Sequence, residues 1–136
     1  SISHTQGYTA AIAASSQNYA SLGLDIENIR AFGADLQQRV CTDSECLWLN
    51  QRPDPELWGL IHFSAKETLH KALHPLTGIT LGFLDAEIEF DLLTNKYSIR
   101  FEINGKAHRW TGKYLHDAQH VFTAIQVEAK KAAALF

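Results

Sequence analysis

The chain has 136 residues, 46% hydrophobic and 20% charged, with 12 Lys and Arg against 15 Asp and Glu and a net charge of −3. That length suits one domain able to bury about two-thirds of its unfolded surface, and the composition excludes a disordered chain, a collagen-like repeat and a coiled coil. The acidic balance speaks against broad nucleic-acid binding, and no apolar run approaches the roughly 20 residues of a membrane helix, so a soluble protein is expected.

Tyr8, Ala10, Ile12 and Ala14 alternate with Thr9, Ala11 and Ala13, which predicts a buried strand over 7–14. Gln17-Asn18 signals a turn, and Leu22-Gly23-Leu24-Asp25-Ile26-Glu27 reads as the next strand. Cys41 and Cys46 are too few for a disulfide scaffold and lack metal-type spacing, so a reducing cytoplasm is the simpler expectation. Thr42 or Asp43 can cap a helix running to about Asn50. The longest helix is expected from Pro55, a residue tolerated in a first turn, to about His74. Leu57, Leu60, Ile61, Ala65, Leu69, Ala72, Leu73 and Leu76 recur along it at spacings of three and four, forming one apolar stripe. Pro75 and Gly78 are expected to end it.

A meander of strands follows. Ala86, Ile88, Phe90 and Leu92 face one way and Glu87, Glu89 and Asp91 the other. Tyr97, Ile99, Phe101 and Ile103 repeat the alternation, and Asn104-Gly105 is a two-residue hairpin signal. Strands over 107–115 and 119–127 come next, and the alanine-rich tail from Ala129 to Phe136 reads as helical or frayed. The expected class is α+β, a largely antiparallel sheet packed on one long helix, in a single domain over 1–136.

Asp25 and Glu27 lie two apart in a strand, so both point to one face, about 7 Å apart along the chain. Leu24 and Ile26 are then expected to turn the other way, into the core. Side-by-side carboxylates repel, and a hard divalent cation such as Mg²⁺ would relieve them; two solvated acids at an exposed strand end would look the same. Glu67 lies off the apolar stripe, and Lys71 projects from nearly its face four residues on. These two can form a surface ion pair, or can join Asp25 and Glu27 in a site for magnesium-bound pyrophosphate, where metal and ammonium both oppose phosphate charge.

Ser1-Ile2-Ser3-His4-Thr5, Leu22-Gly23-Leu24-Asp25-Ile26-Glu27 and Phe63-Ser64-Ala65-Lys66-Glu67-Thr68-Leu69-His70-Lys71-Ala72 closely resemble the three ordered motifs of the 4′-phosphopantetheinyl transferases. The likeness is greatest to the surfactin type and, within it, to the enterobactin synthase component D subgroup, which Pro75-Leu76-Thr77-Gly78 and Leu81-Gly82-Phe83-Leu84-Asp85-Ala86 also resemble. The resemblance implies Mg²⁺-dependent transfer of the phosphopantetheine arm of coenzyme A onto a serine of an apo acyl, peptidyl or aryl carrier protein. It further implies release of adenosine 3′,5′-bisphosphate and a carrier in siderophore-type nonribosomal peptide assembly. Carried over by residue, it places Asp25, Glu27 and Glu67 on the metal, Lys71 on the pyrophosphate with Lys66 close by, and His4, next to Ser3, at the 3′-phosphate. Glu67, directly or through a metal-bound water, is the candidate base for the serine proton.

The chain lacks Met and opens inside the first motif, so it is expected to be part of something longer, the second lobe of a two-lobe enzyme plus its entering strand. A missing N-terminal lobe or a second copy would then complete the cleft. A non-catalytic module that binds coenzyme A or a carrier protein, and a magnesium-dependent phosphohydrolase, are the other readings. His70 and His74 share a helix face at a zinc-compatible spacing, without the Glu or third ligand that would make a site. His62, His108, His116 and His120 are expected at the surface, and Trp48, Trp58 and Trp110 in packing roles. Ser3 and His4 lack the acid that would make them a nucleophile and its base. Arg100, Arg109 and Lys113 are expected to pair with Glu89 and Glu102 across strands.

Overall fold

The computed structural model describes residues 1–136. β1 (Ile2–Thr5) and β2 (Tyr8–Ala11) form a small antiparallel hairpin. β3 (Tyr19–Asn28), β4 (Ala86–Asp91), β5 (Lys96–Ile103), β6 (Lys106–His116) and β7 (His120–Glu128) form a five-stranded sheet in the order β3-β7-β6-β5-β4. Every neighbouring pair is antiparallel, so the class is α+β as expected. α1 (Ala34–Val40), α2 (Asp43–Leu49), α3 (Pro55–Thr77) and the terminal α4 (Ala129–Ala133) complete the fold, with a 3-10 turn over Phe83–Asp85. No helix is long and apolar enough to cross a membrane.

The apolar stripe of α3 sets the architecture. Leu60, Ile61, Ala65, Leu69, Ala72 and Leu73 are buried in one cluster with Ile88, Tyr97, Ile99, Phe101 and Ile125 of the sheet, each large side chain contributing roughly 1.5–3 kcal/mol of burial. Asp54 caps the helix, its carboxylate accepting from the Leu57 N–H at 3.2 Å, with Pro55 in the first turn. The meander between Ala86 and Glu128 follows the predicted alternation. Asn104 and Gly105 both have positive φ, 51° and 78°, as the tight turn between β5 and β6 requires.

Several expectations are corrected. The 7–14 stretch is not one buried strand: only Tyr8–Ala11 is extended, in a hairpin largely open to solvent. Its alternation runs mostly through alanines, which carry too little volume to anchor a core strand. Pro75 does not end α3; it lies in the last turn, and the helix stops at Gly78 in the left-handed region. Leu92 is exposed beyond the end of β4. The expectation for Leu24 and Ile26 holds: both are buried, on a side of β3 apart from the cluster that α3 shares with the sheet. His62, His108 and His120 are buried rather than superficial, and only His116 among that group is exposed. The structure pairs Arg100 with Glu87 at 2.6 Å, while Arg109 approaches Glu89 only to 4.0 Å.

Candidate metal centre

β3 is an edge strand, and one of its faces lies directly against α3. Ser21 Oγ donates to the Ala72 carbonyl at 2.7 Å. Two residues on, Gly23 permits the closest approach: a Cβ there would run into the Thr68 carbonyl and crowd Ala72 Cβ at 3.2 Å. By strand alternation Asp25 and Glu27 continue this face, while Leu24 and Ile26 take the other. The small residues at 21 and 23 therefore bring the carboxylates that follow them close to the helix that carries Glu67 and Lys71.

Asp25 is the centre of the arrangement and is only 4% exposed. Its Oδ1 receives the Lys71 ammonium at 3.0 Å and lies 3.5 Å from Ser3 Oγ. Its Oδ2 is buried with no hydrogen-bond partner. Lys71 also donates to the Leu24 carbonyl at 2.9 Å, which leaves one N–H of the ammonium uncommitted on a side chain that is 29% exposed. Burial and the Asp25 charge together push the Glu27 carboxyl up to about 6, against the opposing pull of Arg30 at 3.0 Å. Glu67 is raised as well, first by burial and then by the same Asp25 charge, with His70 and Lys71 opposing. Lys71 thus pairs with Asp25 on β3 and not with its helical neighbour Glu67.

The donors around Asp25 are all hard carboxylate oxygens, and a buried carboxylate oxygen without a hydrogen bond normally has a compensating partner. A hard divalent cation fits that chemistry. The oxygens of Asp25, Glu27 and Glu67 do not all lie within 4.8 Å of one another. Mg²⁺ ordinarily takes only one or two carboxylates directly and keeps water in its other positions, so the three acids would not all be direct ligands in this arrangement.

Ser3 and His4 part company. Ser3 is buried at the open edge of β3, where its Oγ accepts from the Ile26 N–H at 3.1 Å beside Asp25, and Ser1 Oγ accepts from Leu24 in the same way. His4, next along β1, is exposed. Lys66 departs furthest from expectation. Its ammonium is buried and donates to Glu45 Oε1 at 2.6 Å, the Val40 carbonyl at 2.7 Å and the Phe83 carbonyl at 2.8 Å, so the expected contact with phosphate gives way to an internal strut.

Cys41, Glu45 and His62 do bring ligand atoms within 4.8 Å of one another. The Lys66 ammonium already supplies the cation there, and burial pushes the Cys41 thiol up to about 12, so this group is a closed ion pair and not a metal site. Glu45 is not among the site residues expected from the sequence. Its position three residues after Thr42 marks a capping box, which is present, and His62, Lys66, Leu69 and Leu73 fall at the three- and four-residue spacing of a buried helix face.

Beside Glu67 a groove of about 260 Å³ opens between α3 and the segment leading into β4. Lys66, Glu67, His70, Leu73, Leu81 and Phe83 are among its lining residues, so apolar and ionisable side chains share it. His70 and His74 stack with ring centroids 5.3 Å apart, and His74 is exposed.

Residues 21–125 match the family model described as the 4′-phosphopantetheinyl transferase superfamily. Among individual relatives, 4′-phosphopantetheinyl transferase Svp of Streptomyces mobaraensis is 33% identical over 144 residues, spanning 98% of this chain and 58% of its own length. The 4′-phosphopantetheinyl transferase Npt of Nocardia iowensis is 33% identical over 68% of this chain and 41% of its own length. PptT of Mycobacterium tuberculosis is 30% identical over 74% of this chain and 45% of its own. The chain thus spans about half the length of these relatives. In fold it is similar to holo-[acyl-carrier-protein] synthase of Thermotoga maritima, with a TM-score of 0.56, 20% identity, and coverage of 80% of this chain and 64% of that one.

Proposed function

The chain belongs to the 4′-phosphopantetheinyl transferase superfamily, and from that premise we propose that it is the metal-bearing lobe of an enzyme that transfers the 4′-phosphopantetheine arm of coenzyme A. The acceptor is a serine hydroxyl of an apo carrier protein, and the leaving group is adenosine 3′,5′-bisphosphate. One observation carries this reading: Asp25 is buried with Lys71 on one oxygen and nothing on the other, while burial and then its charge hold the Glu27 and Glu67 carboxyls above their usual range.

Asp25, with Glu27 and Glu67 beside it, would hold Mg²⁺, which when bound neutralises charge on the pyrophosphate. The chain's own groups do the rest. Lys71, anchored by Asp25 and the Leu24 carbonyl, turns its remaining N–H toward a phosphate oxygen and stabilises charge as it builds there. The serine oxygen forms a bond to phosphorus as the bond from phosphorus to the departing nucleotide oxygen breaks, the two roughly in line. Glu67 is the residue that would take the serine proton. Ser3 ties β1 to β3 and steadies Asp25, and the exposed His4 meets the 3′-phosphate. The groove beside Glu67 gives the pantetheine arm an apolar wall. A further lobe or a second copy would close the other side of the cleft, a role consistent with the 58% of Svp that this chain spans.

The test is to mix the protein with coenzyme A, Mg²⁺ and a panel of apo carrier proteins, siderophore-assembly carriers included, and to read carrier mass. Gain of one phosphopantetheine unit is expected, with Asp25→Asn lowering the rate at least about 100-fold. Wild-type turnover by that variant overturns the site. Coenzyme A binding without mass gain would mark a binding module, and phosphate release without a carrier a phosphohydrolase.

A further inference from the structure

Lys66 and Glu67 are neighbours on α3 and both contribute to the groove lining, yet their charged ends meet different surroundings. Lys66 enters the interior, its side chain 2% exposed, against a Glu45 side chain that is 1% exposed. Its three N–H groups are all used: on Glu45, on the Val40 carbonyl at the end of α1, and on the Phe83 carbonyl in the 3-10 turn. Glu45 closes the set by accepting from the Thr42 N–H ahead of α2 and the Ile88 N–H of β4, each at 2.8 Å. One ammonium thus fastens the Phe83 wall of the groove to the helix that forms its other side.

We propose that Lys66 is a positioning residue whose ammonium does not contact coenzyme A: through Glu45, Val40 and Phe83 it pins the groove wall at a fixed distance from Glu67. Its catalytic consequence rests on the transferase reading, whereas the pinning itself does not. A buried ion pair replaced by apolar side chains of similar volume is often neutral or stabilising, so stability alone gives little reason to bury these charges here. Fixing the wall does.

The test uses Glu45→Leu/Lys66→Met together, because either single change strands a buried charge and can prevent folding. Amide exchange over 80–88 is expected to quicken at least about tenfold in the folded double variant, with 60–73 unchanged. The KM for coenzyme A is expected to rise about tenfold while kcat stays within about threefold, since Asp25, Glu67 and Lys71 remain. Mn²⁺ affinity should stay within about twofold, as the metal's carboxylates are untouched. Unchanged exchange over 80–88 overturns the pinning. So does a raised KM in Lys66→Met with a normal KM in Glu45→Gln, a pattern that would put the ammonium on the ligand. Should the wild type transfer nothing, the exchange result still decides the role of Lys66.

Discussion

Two lysines leave α3 to meet a carboxylate on another element, and they differ in what is left over. Around Lys66 and Glu45 every donor has an acceptor, and both side chains are sealed from water. Around Lys71 and Asp25 the balance is open: Asp25 Oδ2 lacks a partner, and the carboxylates of Asp25, Glu27 and Glu67 outnumber the Lys71 and Arg30 cations paired with them. A saturated pair belongs to the scaffold. An unsaturated one, carrying surplus charge beside a groove, is where a ligand completes the chemistry.

The sharpest way to break that contrast is to remove each lysine in turn. Lys66→Met leaves the Glu45 carboxylate buried and uncompensated, and should cost roughly 3–5 kcal/mol in chemical denaturation. Mg²⁺ should restore none of it, because the pocket around Glu45 is closed. Lys71→Met should cost less, about 1–3 kcal/mol, the loss of charged hydrogen bonds at a partly exposed site. Here millimolar Mg²⁺ should recover most of the loss by linkage, since a cation can replace the ammonium against Asp25. Equal behaviour of the two variants toward Mg²⁺ would erase the distinction.

The same contrast marks how far the sequence could be read. The open site was legible because carboxylates two apart in a strand, and a Glu and Lys four apart in a helix, are conspicuous against apolar neighbours. The motif order then joined elements that are distant along the chain. The closed pair was not legible in that way. A lysine beside a site glutamate invites assignment to the same site, while only the spacing of His62, Lys66, Leu69 and Leu73 points it inward. α1 went unread for a related reason: among Ala34-Asp35-Leu36-Gln37-Gln38-Arg39-Val40 only Val40 is buried, so no stripe announces the helix. α3 and β4 to β7, by contrast, bury large residues at a regular period, and there sequence and structure agree.

A smaller effect should appear in the pH dependence of the metal-free protein. Glu27 rises from its ordinary 4.5 to about 6 in the fold, so the folded state binds this proton more tightly than the unfolded chain does. Its contribution is therefore fully present below 4.5 and lost as pH climbs through about 6. Glu27→Gln removes the titration. The variant should match the wild type near pH 4.5 and exceed it at pH 7, in parallel denaturation series without metal. Saturating Mg²⁺ should reverse the order at pH 7, because the cation stabilises only the protein that keeps the carboxylate.

Arg30 offers the finest adjustment. It lies 3.0 Å from Glu27, 47% exposed and three residues along the chain, just past the end of β3, and it opposes the rise of that carboxyl. An exposed pair of this kind contributes little, so Arg30→Ala should change stability at pH 7 by no more than about 0.5 kcal/mol. Yet the variant should move the pH at which Glu27 destabilises the metal-free fold upward, since burial and Asp25 would then act on the carboxyl unopposed. Carboxyl NMR titration of the two proteins measures this directly. A midpoint that stays put in Arg30→Ala would mean that Asp25 and burial alone set the charge state of Glu27, and that Arg30 is a bystander to the open site.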